Sequence, residues 1–296
     1  MLVLKKISSR IACLFLVPFL LASCQNSSEK PAKSSTSEES VSSFDVGVFL
    51  GESSKNVDKL VAYKSVAIDL DEFDQSSIRK LKENNVEIYG YLSIGSLERY
   101  RSYYDEFKES TIMPYENWPD EWWMDVTNLD WQEHIKSEAN RLSSLGADGL
   151  FMDNFDIFYI VNEEFECSET YKQNVYSACK TMLTDLEQTS LKLMINSGTD
   201  FLEALHDESS PLLKGIEVYA QECVFSSIKD YENNIFEKQN EEDKKYYLSI
   251  VSFMKENSKI LFIEYTKDDV LASEIKTYCQ NNQYFYHISH NVNLTF

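Results

Sequence analysis

One short stretch of the chain places carboxylates directly after a run of apolar residues. Residues Leu150–Met152 have the character of a buried strand, and Asp153, Asn154 and Asp156 follow this run almost at once. Parallel β/α proteins place their chemistry at the carboxyl ends of such strands. We therefore expect an active site at this point of the chain.

Polar residues follow most of the other predicted strands as well. They are Asp69 with Asp71, Ser93 with Glu98, Asn196, Glu222 and Glu264. The sequence shows no metal-ligand spacing of histidines and cysteines, no Ser/His/Asp arrangement and no glycine-rich phosphate loop. Carboxylates alone are best suited to glycoside hydrolysis, in which one acid protonates the leaving oxygen and a second carboxylate attacks the sugar or activates water. We expect neither a metal nor a cofactor.

Asp153 and Glu222 are the predicted catalytic pair, because they end the fourth and sixth predicted strands and would flank the mouth of a barrel. Asp153 is expected to act as nucleophile or base and Glu222 as general acid, with Glu217 as the alternative to Glu222. A carboxyl separation of about 5–5.5 Å would give retention and one of about 6.5–9.5 Å inversion. The sequence does not contain this distance, nor does it decide which carboxylate is the acid.

Eight further residues are predicted to contact the substrate. They are Asp69, Ser93, Glu98, Asn154, Asp156, Asn196, Glu264 and Trp123. For Asn154 and Asp156 the alternative role is to orient Asp153, and for Asp69 it is to stabilise a loop. The tryptophans 118, 122 and 123 could stack on sugar faces or pack as a lid on the rim, and Arg101 could pair with a neighbouring acid.

Short apolar runs rich in Val, Ile, Tyr and Phe recur along the 296 residues. They lie at Phe44–Leu50, Ser65–Leu70, Glu87–Ile94, Asp148–Asn154, Lys192–Ser197, Gly215–Cys223, Lys259–Thr266 and Tyr284–Asn291. Helical patterns lie at Ser76–Asn84, Asp130–Leu145, Ser168–Thr189, Asp200–His206, part of Ile228–Asn257, and Asp268–Asn281. Strands that alternate with helices over about 250 residues are typical of a barrel. The sequence therefore predicts an α/β fold, a single (β/α)8 TIM barrel, over residues 44–296.

The first 24 residues have the pattern of a bacterial lipoprotein signal. A charged head precedes the apolar run Ile11–Leu21, and Leu21–Cys24 resembles a lipobox. This predicts cleavage before Cys24, acylation of that cysteine and a lipid anchor on the extracellular face of the membrane. An ordinary signal peptide with an accidental cysteine is the alternative. Residues 25–43 are rich in Ser and Glu and predict a disordered tether.

The formal charge of the chain is −21. Removal of the leader's three cationic residues, Lys5, Lys6 and Arg10, would bring the mature chain to −24. Nucleic acids and other polyanions are therefore poor partners, whereas a cationic polymer would be attracted. The alternative is that the acidic surface only keeps the protein soluble.

Four cysteines remain after the leader and the predicted anchor, at positions 167, 179, 223 and 279. Cys167 and Cys179 could pair across a loop, but small buried thiols are an equally good interpretation. The four histidines have no shared spacing, so we treat them as structural or exposed.

Several segments together resemble glycoside hydrolase family 114. They are Phe44–Val48, Ala67–Asp69, Gly90–Gly95 with Glu98 and Tyr100–Arg101, Trp122–Val126 and Gly149–Asp156. The resemblance covers about residues 44–296 and implies a TIM barrel with endo-α-1,4-polygalactosaminidase-like activity. It also implies catalysis by an Asp of the fourth strand and a Glu of the sixth, which correspond to Asp153 and Glu222. The chain departs from the pattern at Ser96 and Glu264, where related sequences often have an acidic residue and an Asp.

These observations predict a lipid-anchored extracellular hydrolase, most simply a monomer, that cleaves an α-1,4-linked galactosamine-type polysaccharide. Galactosaminogalactan is one such polymer. The alternatives are a hydrolase of a different wall or biofilm glycan and a non-catalytic carbohydrate-binding lipoprotein. An adhesin built on a decayed barrel would have its mouth plugged by apolar side chains.

Overall fold

The computed structural model describes residues 44–296 of the chain. The predictions of a signal peptide over residues 1–24, of acylation at Cys24 and of a tether over residues 25–43 lie outside the described residues.

The described chain contains strands at each of the eight positions predicted from the sequence and at five others. They are β1 (Phe44–Phe49), β2 (Tyr63–Ile68), β3 (Glu87–Ser93), β4 (Ser96–Glu98), β5 (Thr111–Pro114), β6 (Glu121–Met124), β7 (Gly149–Asp153), β8 (Lys192–Asn196), β9 (Val218–Glu222), β10 (Ser226–Asp230), β11 (Ile235–Lys238), β12 (Lys259–Tyr265) and β13 (Phe285–Ser289). Eight of them form one sheet in the order β1-β2-β3-β7-β8-β9-β12-β13.

Every paired strand in this large sheet runs parallel to its neighbour. The first and last strands lie side by side, and the rings of Phe49 in β1 and His287 in β13 meet edge to face at 4.9 Å. The sheet thus forms a nearly closed barrel, which confirms the predicted (β/α)8 fold.

Helices connect the strands. They are α1 (Val57–Leu60), α2 (Gln75–Glu83), α3 (Tyr104–Phe107), α4 (Leu129–Leu145), α5 (Ile157–Tyr159), α6 (Glu169–Glu187), α7 (Thr199–Asp207), α8 (Glu241–Met254) and α9 (Asp269–Asn282). Local chemistry sets their bounds: Asp74 accepts a hydrogen bond from the backbone N–H of Ser77 at the start of α2, and Gly146 ends α4 at φ +117°. Within residues 44–296, none of these helices is both long and apolar enough to cross a bilayer.

Two small sheets depart from the predicted elements. The long connection after β3 folds into the antiparallel sheet β4-β6-β5, where the sequence predicts only a loop or an aromatic lid. The hairpin β10–β11 occupies the first part of the segment Ile228–Asn257, so the helix there begins only at Glu241. Both sheets stand at the carboxyl ends of barrel strands and build walls around the mouth.

Apolar side chains pack in two layers, inside the barrel and between the barrel and its helices. Side chains alternate along each strand, so residues at a spacing of two share a face. In β12, for example, Leu261 and Ile263 point into the barrel, whereas Phe262 packs against the helices. This alternation decides which residues at the strand ends reach the mouth.

Candidate active site

A cavity of about 640 Å³ opens at the carboxyl ends of the barrel strands. Its walls include the carboxyl side chains Asp69, Glu98, Glu121, Asp153, Asp156 and Glu222, and the aromatic side chains Tyr91, Tyr100, Tyr115, Trp118, Tyr231, Tyr247 and Tyr265. Among residues 44–296, no lysine or arginine lines it. The cavity therefore offers negative charge and flat rings together.

Strand alternation directs the two predicted catalytic carboxylates into this cavity. In β7, Phe151 packs inside the barrel while its neighbours on both sides pack against the helices. Asp153, two residues later, consequently faces the mouth. Asn196 at the end of β8 and Glu222 at the end of β9 follow interior residues at the same spacing.

Asn196 connects the two carboxylates. Its Nδ2 atom donates hydrogen bonds to Asp153 Oδ1 at 3.0 Å and to Glu222 Oε1 at 2.7 Å. These two bond lengths limit the separation of the carboxylate oxygens to about 5.7 Å, and amide hydrogens at about 120° bring it to about 5 Å. The predicted pair therefore lies within one reaction site.

The remaining oxygens of the pair differ in their surroundings. Asp153 Oδ1 also accepts a hydrogen bond from the backbone N–H of Asn154 at 2.9 Å, whereas no hydrogen bond is made to its Oδ2 by residues 44–296. Glu222 Oε2 accepts a hydrogen bond from the Tyr265 hydroxyl at 2.7 Å. Asp153 thus presents a free oxygen, while both oxygens of Glu222 are held.

Burial raises the pKa of both carboxyl groups, and the nearby charge of Glu222 raises the pKa of Asp153 further. Hydrogen bonds from Asn196 and Tyr265 oppose the rise at Glu222. Two carboxylates this close do not ionise independently, because the first charge disfavours the second. The pair therefore keeps a proton to a higher pH than an isolated carboxyl group would, as general acid catalysis requires.

Asn154 and Asp156 also line the cavity, as predicted for substrate contacts. Asn154 is held at φ +66° by hydrogen bonds from its Nδ2 to the hydroxyls of Ser93 at 3.0 Å and Ser96 at 2.9 Å. Asp156 Oδ2 accepts a hydrogen bond from the backbone N–H of Gly198 at 3.1 Å, and burial raises its pKa to about 6. Both residues hold adjoining loops as well as facing the cavity.

Asp69 and Glu98 line the cavity too, but both are engaged by Arg101. The Arg101 side chain is 5% exposed, and its Nη2 atom lies 3.0 Å from Asp69 Oδ2 and 3.2 Å from Glu98 Oε1. A third acid, the half-exposed Asp71, lies 3.2 Å from Nη1. Burial raises the pKa of Asp69, and the Arg101 charge opposes that rise. Part of the acidic rim is thus neutralised from within.

Glu121 is a cavity carboxylate that the sequence reasoning missed. It lies on β6 opposite Glu98 of β4, and its Oε1 accepts a hydrogen bond from the Ser96 hydroxyl. Burial and the adjacent Glu98 raise its pKa to about 7. Ser96, where the resemblance leads one to expect an acid, therefore binds a carboxylate of the neighbouring strand. Glu121 could not be identified from the sequence because the connection after β3, in which it lies, was not predicted to form a sheet.

The structure does not place Ser93 and Trp123 at the cavity, contrary to the prediction that they contact substrate. Ser93 is buried. Its hydroxyl is hydrogen-bonded to the Ser96 hydroxyl at 2.6 Å and accepts a hydrogen bond from Asn154 Nδ2. Trp123 is buried with its ring stacked on Tyr115 at 4.2 Å. Each supports a residue that does line the cavity.

Glu264 is likewise not at the cavity. Its side chain is 0% exposed, and its carboxylate accepts hydrogen bonds from the backbone N–H groups of Val224, Phe225 and Ser226 and from the Ser226 hydroxyl. Burial raises its pKa to about 7. Ile263 and Tyr265 face the barrel interior, so Glu264 between them faces outward. It fixes the loop that follows β9.

The other residues missed by the sequence reasoning are mostly tyrosines. Tyr91 and Tyr265 follow interior residues at a spacing of two, so strand alternation could have identified them. Tyr115 follows β5, Tyr231 follows β10 and Tyr247 lies in α8, and no local sequence pattern identifies them as cavity residues. The aromatic wall is therefore assembled largely by tertiary contacts.

Histidine, cysteine and acidic side chains form no cluster that could hold a metal ion within residues 44–296. The four described cysteines are free thiols, with Cys179 and Cys279 buried and Cys223 beside Glu222 in the cavity wall. Of the two interpretations of Cys167 and Cys179, the structure has the unpaired one.

Solved glycoside hydrolase domains have a similar fold. The glycoside hydrolase domain of PelA from Pseudomonas aeruginosa is 18% identical, with a TM-score of 0.71 over 85% of this chain and 96% of that domain. Aspergillus fumigatus Ega3, solved in complex with galactosamine, is 17% identical, with a TM-score of 0.62 over 89% of this chain and 96% of that one. At these identities the likeness establishes the fold alone.

No curated protein sequence matches the chain closely enough to count as a relative. The model of glycoside-hydrolase family GH114 matches residues 25–294, which is most of the chain. The matched region includes the whole barrel up to the last residues and every side chain of the cavity described above, apart from Thr295. The chain therefore belongs to family GH114 and is a glycoside hydrolase.

Proposed function

We propose that this glycoside hydrolase cleaves an α-1,4-linked galactosamine-type polysaccharide by a two-carboxylate, retaining mechanism. The observation that carries the proposal is the shared hydrogen-bond donor Asn196 Nδ2, which holds Asp153 and Glu222 in one site. A glycosidase needs an acid and a second carboxylate on opposite sides of the scissile bond, and no other group is required.

The charge of the cavity favours a cationic sugar as substrate. Six carboxyl groups line the cavity. Arg101 pairs with two of them, Asp69 and Glu98, and no lysine or arginine of residues 44–296 lines the cavity beside the other four. An unacetylated amino sugar carries an ammonium group that such carboxylates can bind. The structural neighbour Ega3 was solved with galactosamine, which is a sugar of this kind.

Asp153 is the proposed nucleophile, because its Oδ2 accepts no hydrogen bond from residues 44–296 and can attack the anomeric carbon. Glu222 is the proposed acid, which protonates the glycosidic oxygen as the C1–O bond breaks and the Asp153–C1 bond forms. The resulting Glu222 carboxylate then takes a proton from water. The water oxygen bonds to C1, the Asp153 ester breaks, and the proton is back on Glu222.

The carboxyl separation supports retention of configuration. The two hydrogen bonds to Asn196 Nδ2 limit the distance between Asp153 Oδ1 and Glu222 Oε1 to no more than about 5.7 Å. Retaining enzymes have about 5–5.5 Å, and inverting enzymes need about 6.5–9.5 Å to admit a water. The reducing end formed when water attacks the intermediate should therefore have the α configuration, which proton NMR of the early reaction mixture can detect.

The test is release of reducing ends from partially deacetylated α-1,4-galactosaminogalactan by the purified protein. Asp153→Asn and Glu222→Gln should each lower kcat by at least about a hundredfold. Asp58→Asn and Glu208→Gln are the matched controls, because these acids lie on the surface in ion pairs with lysines. Their rates should equal that of the parent.

Azide separates the two catalytic roles. It should restore cleavage in Asp153→Ala with formation of a β-glycosyl azide and in Glu222→Ala with an α-glycosyl azide. The reverse pattern would exchange the roles. Absence of cleavage by the parent, with an intact fold, would contradict the galactosamine substrate and leave another wall or biofilm glycan.

The extracellular, lipid-anchored location is part of the same proposal and depends on the lipobox pattern ending at Cys24. A polymer outside the cell is accessible only to an enzyme on that side of the membrane. Expression in the presence of an alkyne-tagged fatty acid should label the parent and not Cys24→Ser. A labelled Cys24→Ser protein, or an unlabelled parent, would refute the anchor.

A further inference from the structure

Glu222 is held by two groups with different hydrogen-bonding capacity. Asn196 Nδ2 donates to its Oε1 at 2.7 Å and the Tyr265 hydroxyl donates to its Oε2 at 2.7 Å. An amide NH₂ can only donate, whereas a phenol hydroxyl can donate or accept. The Tyr265 hydroxyl can therefore keep its hydrogen bond to Glu222 Oε2 whether or not that oxygen carries a proton. An amide NH₂ group in its place could not.

The proposed reaction requires both states. Glu222 is protonated before the glycosidic bond breaks and is a carboxylate before water attacks the intermediate. Loss of its hydrogen bond in either state would let the carboxyl group rotate away from the substrate oxygen. A misplacement of about 1 Å costs about a hundredfold in rate.

We propose that Tyr265 is the positioning residue that holds Glu222 through both halves of the reaction, accepting from the acid until the glycosidic oxygen takes up the proton and donating to the carboxylate that remains. This inference deepens the proposed function and depends on it for the two-step mechanism. Tyr265 acts through Glu222 rather than on the sugar bond itself.

Tyr265 is itself firmly placed. Its side chain is 3% exposed and faces the barrel interior at the end of β12. The backbone N–H of Tyr265 donates a hydrogen bond to the Ser226 hydroxyl at 2.9 Å, and this hydroxyl donates one to Glu264. The loop after Glu222 and the strand that carries Tyr265 are thus connected, so the hydroxyl and the carboxyl keep their distance.

The charge and proton on Glu222 depend on every titratable group that faces it. Within residues 44–296 these groups are Asp153 from β7, Asp156 after β7, Cys223 after β9, Tyr115 after β5, Tyr231 after β10 and Tyr265 from β12. None of them is a cation, so hydrogen bonds from neutral donors are what favours the Glu222 carboxylate. Tyr265 and Asn196 supply these donors.

The first test is the pH dependence of kcat/KM for Tyr265→Phe, which removes the hydroxyl and keeps the ring. The hydrogen bond that Tyr265 donates to the charged carboxylate is stronger than the one it accepts from the neutral acid. Loss of both should therefore raise the pKa of Glu222 and move the alkaline limb up by about one pH unit. Below that limb kcat should fall by about tenfold to a hundredfold with little change in KM. Tyr278→Phe is the matched control, because its ring packs outside the barrel on Phe225 and Phe262.

The second test needs no substrate. Carbon NMR titration of protein labelled at the glutamate side-chain carboxyl, with Glu222 assigned by Glu222→Gln, should show the same rise in Tyr265→Phe and none in Tyr278→Phe. An unmoved Glu222 titration would overturn the inference, even if the rate falls. Failure of the parent to cleave polygalactosamine would instead refute the proposed substrate, and the titration would still decide the role of Tyr265.

Discussion

Replacement of Arg101 by methionine should strongly destabilise the protein, because it removes the charge that balances two buried acids. Arg101, Asp69 and Glu98 have side chains only 5–6% exposed. Methionine has a similar apolar stem, so the substitution changes the charge more than the volume. Asp69 and Glu98 would be left buried with no basic partner.

Breaking a buried ion pair by removing one partner costs about 3–5 kcal/mol. Typical domains have about 5–15 kcal/mol of stability in total, so the loss would be a large part of it. Arg99→Met is the matched control two residues away, since Arg99 and its partner Asp120 are 65% and 70% exposed. An exposed pair of this kind contributes about 0–1 kcal/mol.

Urea denaturation at about pH 8 and about pH 5 measures both variants. An acid whose pKa is higher in the folded state than in the unfolded state destabilises the fold as the pH rises. Burial already raises the pKa of Asp69 in the presence of Arg101, so the deficit of Arg101→Met should shrink at the lower pH. Equal free energies of unfolding for Arg101→Met and Arg99→Met at about pH 8 would refute this reasoning.

Two further predictions concern Glu121, which was not predicted as a site residue, and Glu264, which the structure places outside the cavity lining. Glu121→Gln should raise KM for deacetylated polymer by about tenfold and leave KM for the N-acetylated polymer within about twofold, because a charge-assisted hydrogen bond to the ammonium is lost. In the parent, with the pKa of Glu121 at about 7, KM for deacetylated polymer should fall between about pH 6 and pH 7.5, and this slope should be absent from Glu121→Gln. Equal effects on both polymers would place Glu121 away from the ammonium. Glu264→Gln should lower the free energy of unfolding by about 1–3 kcal/mol, since an NH₂ group would face backbone donors. Its KM should stay that of the parent, and a raised KM would restore Glu264 as a substrate contact.

The barrel could be predicted from the sequence because its signals are local. Runs such as Lys259–Thr266 are apolar for the length of one strand. Residues that favour a helix end are equally visible, as Asn84 at the end of α2 and Gly146 at the end of α4 illustrate. Parallel strands bring their carboxyl ends to one face. This rule alone places Asp153, Asn196 and Glu222 together, and their roles remain predictions.

The faces of individual residues were less predictable. Glu264 and Tyr265 are adjacent, and a strand boundary uncertain by one residue exchanges the side chain that enters the barrel. From the sequence, Glu264 is predicted to contact the substrate. In the structure Tyr265 lines the cavity, and Glu264 lies behind the cavity wall. Counting from the interior residues Leu261 and Ile263 would have given the right parity.

The eight-stranded architecture, the strand ends expected to carry the chemistry and the acidic character of the protein can all be predicted from the sequence alone. These follow from hydrophobic periodicity, turn residues and net charge, which need no knowledge of distant contacts. The neutralisation of Asp69 and Glu98 by Arg101 and the place of Glu121 in the cavity wall depend instead on tertiary contacts. The effective charge of a carboxylate depends on which residues surround it in space, and those neighbours come from segments far apart in the chain.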